Sequence, residues 1–293
     1  MKKCICLLAS IVIAAGGLFA APKNTTIKVW DGVKMPGNIT KPHDYSKSKW
    51  KPQIASVVEP KLHLRLVEGE TPRAFVLISP GGGYSNLWSI NGEGLSYADY
   101  FNKNGISAGV LEYRVPENFD GAMMDIQRAI RLVRKHAKQW NIDPNKIAVM
   151  GFSAGASLSA RASTNFDKNS YEPIDDTDKL SARPDFTILM YPAYCSQPEK
   201  DRRFGKGGPK KGDDYNTRYA IADWNKVGEK TPEAFIAQTQ PDIYVDASLA
   251  YYLALKDAGI PAELHMYPTG QHGGIPRDDV LTALLKNLDK RWK

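Results

Sequence analysis

The sequence predicts an α/β protein with a mostly parallel central sheet and helices on both faces, and three observations carry that expectation. From about residue 60 to the end, strand-like and helix-like segments alternate, the order that builds parallel sheets with crossover helices. The run Ala74-Phe75-Val76-Leu77-Ile78 is continuously apolar, as a strand covered on both faces must be. A glycine-flanked serine at 151–155 falls between a strand-like and a helix-like segment, which marks a sharp turn at one end of the sheet. The length of 293 residues allows one large domain or two small ones. Hydrophobic content of 42% and charged content of 24% are those of an ordinary globular chain and exclude a disordered or fibrous one.

The chain begins Met1-Lys2-Lys3, continues apolar or small over 4–19, and reaches Ala20-Ala21. This is the three-part pattern of a secretory signal peptide over 1–20, so an exported protein, periplasmic or extracellular, is expected. A membrane anchor is the alternative reading, but the small residues at the end of the run and the polar Lys23-Asn24-Thr25-Thr26 favour cleavage and no stable membrane insertion. Cys4 and Cys6 leave with the signal, so Cys195 is the lone cysteine of the mature chain and no disulfide framework is available. The formal charge of +7 becomes +5 without Lys2 and Lys3. Such a balance can attract an acidic polymer, but no nucleic-acid module is recognisable and a solvated basic surface suffices.

Residues 21–56 read as an N-terminal extension and 57–293 as the catalytic domain. Within it, 61–67 alternates in polarity as an edge strand does, and further strands are expected at 74–78, 107–113, 146–150, 186–190, 234–238 and 262–267. Met124, Ile126, Ala129, Ile130, Val133, Ala137 and Trp140 recur at helical spacing, which predicts a helix over 123–140. Residues 154–163, rich in Ala, Leu and Ser, suit a buried helix, and 247–255 suits another with Asp246 capping its start. The stretch 196–231 is loaded with Lys, Arg, Asp and Gly, with a hint of a short helix at 220–223. A loop of that length is a lid or a disordered excursion.

Gly151-Phe152-Ser153-Ala154-Gly155 fits the Gly-x-Ser-x-Gly pattern in the strand-turn-helix context it requires. The turn lifts the serine hydroxyl clear of the sheet, and the two glycines leave room where backbones approach. The helix that starts there directs its dipole at developing negative charge. Pro80-Gly81-Gly82-Gly83-Tyr84 follows the strand at 74–78, where backbone amides can join that of Ala154 in an oxyanion hole. It matches neither the Walker pattern nor the dinucleotide fingerprint. Of His43, His63, His136, His265 and His272, the last alone sits in a glycine-rich loop after the final strand. The orienting acid must lie between serine and histidine near the end of a late strand, which selects Asp242, with Asp246 as runner-up. Tyr84 and Trp88, just after the glycine loop, are candidates for an aromatic wall that binds substrate, although a large aromatic can equally pack beneath the loop.

These residues, together with Glu93-Gly94, Tyr113-Arg114, Asp125, Arg128-Ala129, Glu263-Leu264-His265 and 270–273, resemble the acetyl xylan esterase-like carbohydrate esterases of the α/β-hydrolase superfamily, relatives of the hormone-sensitive-lipase type esterases. The likeness runs from about Val57 to the C-terminus. It departs from the family at Ala156, where a second glycine is usual, at Asn91, where a histidine commonly precedes Glu93-Gly94, and at Gln240-Pro241-Asp242, in place of a paired acid. The resemblance implies an α/β-hydrolase fold, with Ser153 as nucleophile, His272 as general base, Asp242 as its orienting acid, and the amides of Gly82, Gly83 and Ala154 as the oxyanion hole. It implies hydrolysis of short acyl esters, acetyl first, on acetylated polysaccharides or oligosaccharides, through an acyl-enzyme that needs neither metal nor organic cofactor. Two other readings stay open at this stage. One is a peptidase resembling the prolyl oligopeptidase catalytic domain, for which the room before residue 60 is small. The other is a hydrolase-fold binding protein that no longer reacts.

Overall fold

The computed structural model describes residues 23–38, 40–42, 44–47, 51–196 and 219–292. Their framework is one eight-stranded sheet in the order β1-β2-β4-β3-β5-β6-β7-β8. The strands are β1 (Asn24–Lys28), β2 (Lys61–Arg65), β3 (Arg73–Ser79), β4 (Ser107–Glu112), β5 (Ile142–Phe152), β6 (Phe186–Met190), β7 (Ala234–Thr239) and β8 (Ala262–Tyr267). β2 runs antiparallel to both β1 and β4, and every pairing from β4 to β8 is parallel. The expected mostly parallel sheet is therefore present. The segment expected at its edge is second in the sheet, because Asn24 and Lys28 pair with Arg65 and Lys61 outside it. Part of the segment read as an extension thus completes the sheet. Its sequence, Asn-Thr-Thr-Ile-Lys, is too short and polar to announce a strand, and Ile27 alone packs on the core.

The helices are α1 (Ser96–Lys103), α2 (Phe119–Lys135), α3 (Ala154–Thr164), α4 (Val245–Asp257) and α5 (Arg277–Trp292). The pleat of β3 sorts its side chains to two cores: Phe75 and Leu77 face α2 and α3, while Val76 and Ile78 face α1 and α5. Farther along the sheet, Leu189 and Ile236 meet Tyr251 and Leu255 of α4. Burial on both faces is why these strands read as unbroken apolar runs.

Three expectations about helices require correction. α2 starts four residues earlier than predicted, where Asn118 Oδ1 accepts the Gly121 amide at 2.9 Å. It ends at Lys135, yet Ala137 and Trp140 are buried in the turn that follows and so prolong the apolar periodicity beyond the helix. Asp246 is not the cap of α4 but a buried member of its first turn. The short helix expected at 220–223 is an extended bridge between Ser196 and Ile221. Residues 197–218, the bulk of the expected lid, lie outside the described residues, as do the expected signal peptide and His43.

Candidate active site

β5 delivers the chain to Ser153, whose φ of 52° and ψ of −115° belong to a region that a side-chain-bearing residue seldom occupies. Two hydrogen bonds fasten the turn: the Ser153 amide donates to the Met190 carbonyl at 3.0 Å, and the Ala193 amide donates to the Ser153 carbonyl at 3.1 Å. The flanking glycines are sterically required. A Cβ on Gly151 would stand 2.1 Å from the Gly155 carbonyl oxygen, and one on Gly155 would stand 2.1 Å from that of Ser79. Ala156, in place of the family's usual glycine, is accommodated in the core beside Leu189 and Tyr251.

The loop after β8 brings His272 over this turn. Its Nε2 lies 2.7 Å from Ser153 Oγ, and its Nδ1 lies 2.7 Å from Asp242 Oδ2. With Asp242 ionised, its carboxylate only accepts hydrogen bonds, so Nδ1 carries the proton and, in the neutral ring, Nε2 is left to accept from the serine hydroxyl. This is the tautomer a general base needs. The Asp242 carboxylate is fully buried at the end of β7, and its other oxygen accepts the Tyr244 amide at 2.9 Å. Tyr191 and Tyr244 stand edge-on to the imidazole, with centroids at 5.3 and 4.8 Å, and restrict its swing. The other described histidines lie elsewhere: His63 bonds Glu112 across β2 and β4, His136 stacks on Trp140, and His265 stacks on Phe235.

The glycine loop comes alongside from the end of β3. Gly82, with φ of +140°, is tucked so closely over Asn86 that a Cβ would fall 2.1 Å from its carbonyl oxygen. Among the described residues, the amides of Gly82, Gly83 and Ala154 donate to no protein acceptor. Two side chains brace the loop from below. Tyr113 donates to the Pro80 carbonyl at 2.7 Å, and Glu93 Oε2 accepts the Gly81 amide at 2.7 Å while its Oε1 accepts the Tyr191 hydroxyl at 2.9 Å. Burial pushes the Glu93 carboxyl above its ordinary range, partly offset by these two donors and by His272. Glu93 has no role in the motif reading; the only trace of it there is the Glu93-Gly94 pair of the family likeness. The other likeness residues are structural: Arg114 and Asp125 form a buried ion pair at 2.9 Å, and Arg128 pairs with Asp175 and Asp178.

Gly82, Gly83, Ser153 and His272 share the wall of a cavity of about 810 Å³ with Trp88 and Arg277. The two aromatics proposed from sequence part company here. Trp88 is 42% exposed and lines the cavity. Tyr84 is fully buried and cannot form part of a substrate wall. Its φ of 58° turns the ring inward onto Phe119 and Tyr113, and its hydroxyl reaches Ser157 at 3.4 Å.

A sheet of this order, with a left-handed serine between β5 and α3 and a histidine in the loop after the last strand, defines an α/β hydrolase. The BD-FAE family model matches residues 64–189. The chain is 36% identical over 221 residues to an acetylxylan esterase of Xylanibacter ruminicola, covering 71% of this chain and 42% of that protein. It is 32% identical over 223 residues to endo-1,4-beta-xylanase B of Butyrivibrio fibrisolvens, covering 73% and 34%. The chain therefore spans less than half the length of either curated relative. Among solved structures, an acetyl ester-xyloside bifunctional hydrolase from Caldicellulosiruptor lactoaceticus superposes with a TM-score of 0.70 at 30% identity, over 92% of this chain and 96% of that one. The chain belongs to the acetyl xylan esterase-like carbohydrate esterases of the α/β-hydrolase superfamily.

Proposed function

We propose that the protein is an exported carboxylic-ester hydrolase that removes short acyl groups, acetyl first among them, from xylan or its oligosaccharides. The observation that carries this reading is the hydrogen-bonded chain from Ser153 through His272 to Asp242, with each contact at 2.7 Å, beside the amides of Gly82, Gly83 and Ala154. Ser153 attacks the ester carbonyl as its proton passes to His272 Nε2. The resulting oxyanion takes hydrogen bonds from Ala154 and from Gly82 or Gly83. His272 then protonates the departing sugar hydroxyl, and water repeats the sequence on the acyl-enzyme to release the acid and restore Ser153. Asp242 holds the imidazole in the required tautomer and stabilises the imidazolium that forms. Trp88 offers an apolar face for a sugar ring at the cavity.

Similarity to an acetylxylan esterase and to an acetyl ester-xyloside hydrolase supports the substrate class. The experiment is acetate release from acetylated xylooligosaccharides, run beside a chromogenic phenyl acetate and an aminoacyl anilide. Turnover of both acetyl esters and not of the anilide is expected; turnover of the anilide would select a peptidase, and of nothing a binding protein. Export is tested by the N-terminus of the protein recovered from the periplasm or medium, which should begin at about residue 21. Among the described residues, no helix is long and apolar enough to cross a membrane.

A further inference from the structure

Besides the groups that serve the ester, the cavity wall carries a permanent cation. Arg277 opens α5 and lines the same cavity as Ser153 and His272. Its guanidinium lies over the Tyr97 ring, 4.7 Å from the centroid, and one of its nitrogens, Nη2, donates to the Ser96 carbonyl and hydroxyl, both at 3.2 Å. Tyr97 is itself buried and packed on Phe152 at the foot of the serine turn. The arginine, exposed at the cavity, is thus held by a ring beneath it and by the first residue of α1 beside it.

What holds it does not neutralise it. Among the described residues no carboxylate lies within ion-pairing distance of Arg277, and the groups its guanidinium meets, Ser96 and Tyr97, are neutral. Charges nearby do not fill that role. Glu93, the single acid on the cavity wall, has one oxygen on the Gly81 amide and the other on the Tyr191 hydroxyl. Asp242 is behind His272, bonded to it and to the Tyr244 amide. Asp278 and Asp279 follow Arg277 on α5 and are exposed away from the cavity lining. A guanidinium fixed over an aromatic ring through one nitrogen, with Nη1 still open, can give a carboxylate a charge-assisted hydrogen bond.

We infer that Arg277 forms an anionic subsite, and that the preferred ester is carried on an oligosaccharide with a carboxylate-bearing, uronosyl-type substituent near the acylated sugar. This rests on the ester-hydrolase reading of the Ser153 site and refines its substrate. The cavity volume of about 810 Å³ is within the range that encloses a ligand larger than one small ester. The sugar would lie against Trp88 while the carboxylate accepts from Nη1 of Arg277.

The test is competitive inhibition of phenyl acetate hydrolysis by unesterified xylooligosaccharides of equal length, one neutral and one bearing a glucuronosyl group, with their binding followed in parallel by calorimetry. The acidic oligosaccharide should bind about tenfold more tightly to the wild-type protein, the worth of one charge-assisted hydrogen bond. In Arg277→Gln the ratio of the two affinities should fall to about one, and Arg277→Lys should retain part of it, since the charge is kept while its fixed placement over Tyr97 is lost. The wild-type preference should also shrink with added salt, a readout that depends on no variant. Equal affinity for the two ligands in the wild-type protein, or a preference that Arg277→Gln leaves intact, would overturn the subsite. Failure of the ester reading shows separately, as absence of phenyl acetate turnover, while calorimetry still compares the two oligosaccharides.

Discussion

Glu93 and Gly81 are joined by a 2.7 Å hydrogen bond from the loop amide to the carboxylate, and the other carboxylate oxygen holds Tyr191 against His272. One buried side chain therefore fixes both the glycine loop and a wall of the imidazole. Glu93→Gln keeps one acceptor but turns an amide NH₂ towards a donor. Losing one buried hydrogen bond should lower kcat for phenyl acetate by about tenfold, with KM changed little, because the proposed role of the loop amides is to meet the developing oxyanion. An unchanged kcat would show that Tyr113 alone suffices to hold the loop.

The same substitution carries a pH signature. Burial raises the Glu93 carboxyl above its ordinary value of 4.5, so the folded chain holds this proton more firmly than the unfolded chain does. The stability this contributes is present below 4.5 and is lost as pH rises through the folded-state value. The melting temperature of the wild-type protein should accordingly decline relative to that of Glu93→Gln as pH climbs from about 4 towards neutrality. Parallel profiles for the two proteins would mean that the hydrogen bonds from Gly81 and Tyr191 fully offset the burial.

Ser153→Ala should abolish ester turnover and leave the melting temperature unchanged or slightly higher. The hydroxyl is the proposed nucleophile, and its removal opens no core cavity while the left-handed backbone stays pinned by Met190 and Ala193. Residual activity above a few per cent of wild type would point to another nucleophile.

Asp242→Asn should reduce kcat by up to about 10⁴-fold, since an amide facing Nδ1 can stabilise the wrong tautomer and cannot balance an imidazolium. Asp246→Asn should act on stability more than on turnover, because Asp246 is in the first turn of α4, where a carboxylate favours the helix dipole. Comparing kcat and melting temperature for the two variants separates the roles.

The sequence displays the sheet and the serine turn openly because each depends on local rules. Strands buried on both faces show as apolar runs, and the Gly151–Gly155 spacing reflects two steric contacts of 2.1 Å that no side chain survives. Ser153, His272 and Asp242 follow from the order of elements along the chain. Glu93 and Arg277 are hidden, since their partners, Gly81, Tyr191 and Tyr97, meet them only through tertiary packing. β1 is hidden for another reason: an edge strand with four polar residues of five has no apolar pattern to show. Tyr84 misleads because the sign of one φ angle decides whether the ring enters the cavity or the core, and nothing in Gly-Gly-Gly-Tyr reports that sign.

That difference between Tyr84 and Trp88 gives a pair of opposed outcomes. Tyr84 packs among Tyr113, Phe119 and Tyr194 with no exposure, so Tyr84→Ala should cost roughly 3–5 kcal/mol of stability, as truncation of a buried ring does. It should also depress turnover of every ester alike, because the loop it anchors carries the proposed oxyanion amides. Trp88 keeps 42% of its surface in solvent at the cavity, so little core is lost on its truncation. Trp88→Ala should leave the melting temperature within about 1 kcal/mol of wild type, as surface changes generally do, and should leave phenyl acetate turnover near normal. Its effect should fall on KM for an acetylated xylooligosaccharide, raised by about fivefold through loss of an aromatic face for the sugar. Equal losses on the small and the large substrate, together with a lowered melting temperature, would assign Trp88 to the loop's own packing and leave the sugar to another surface.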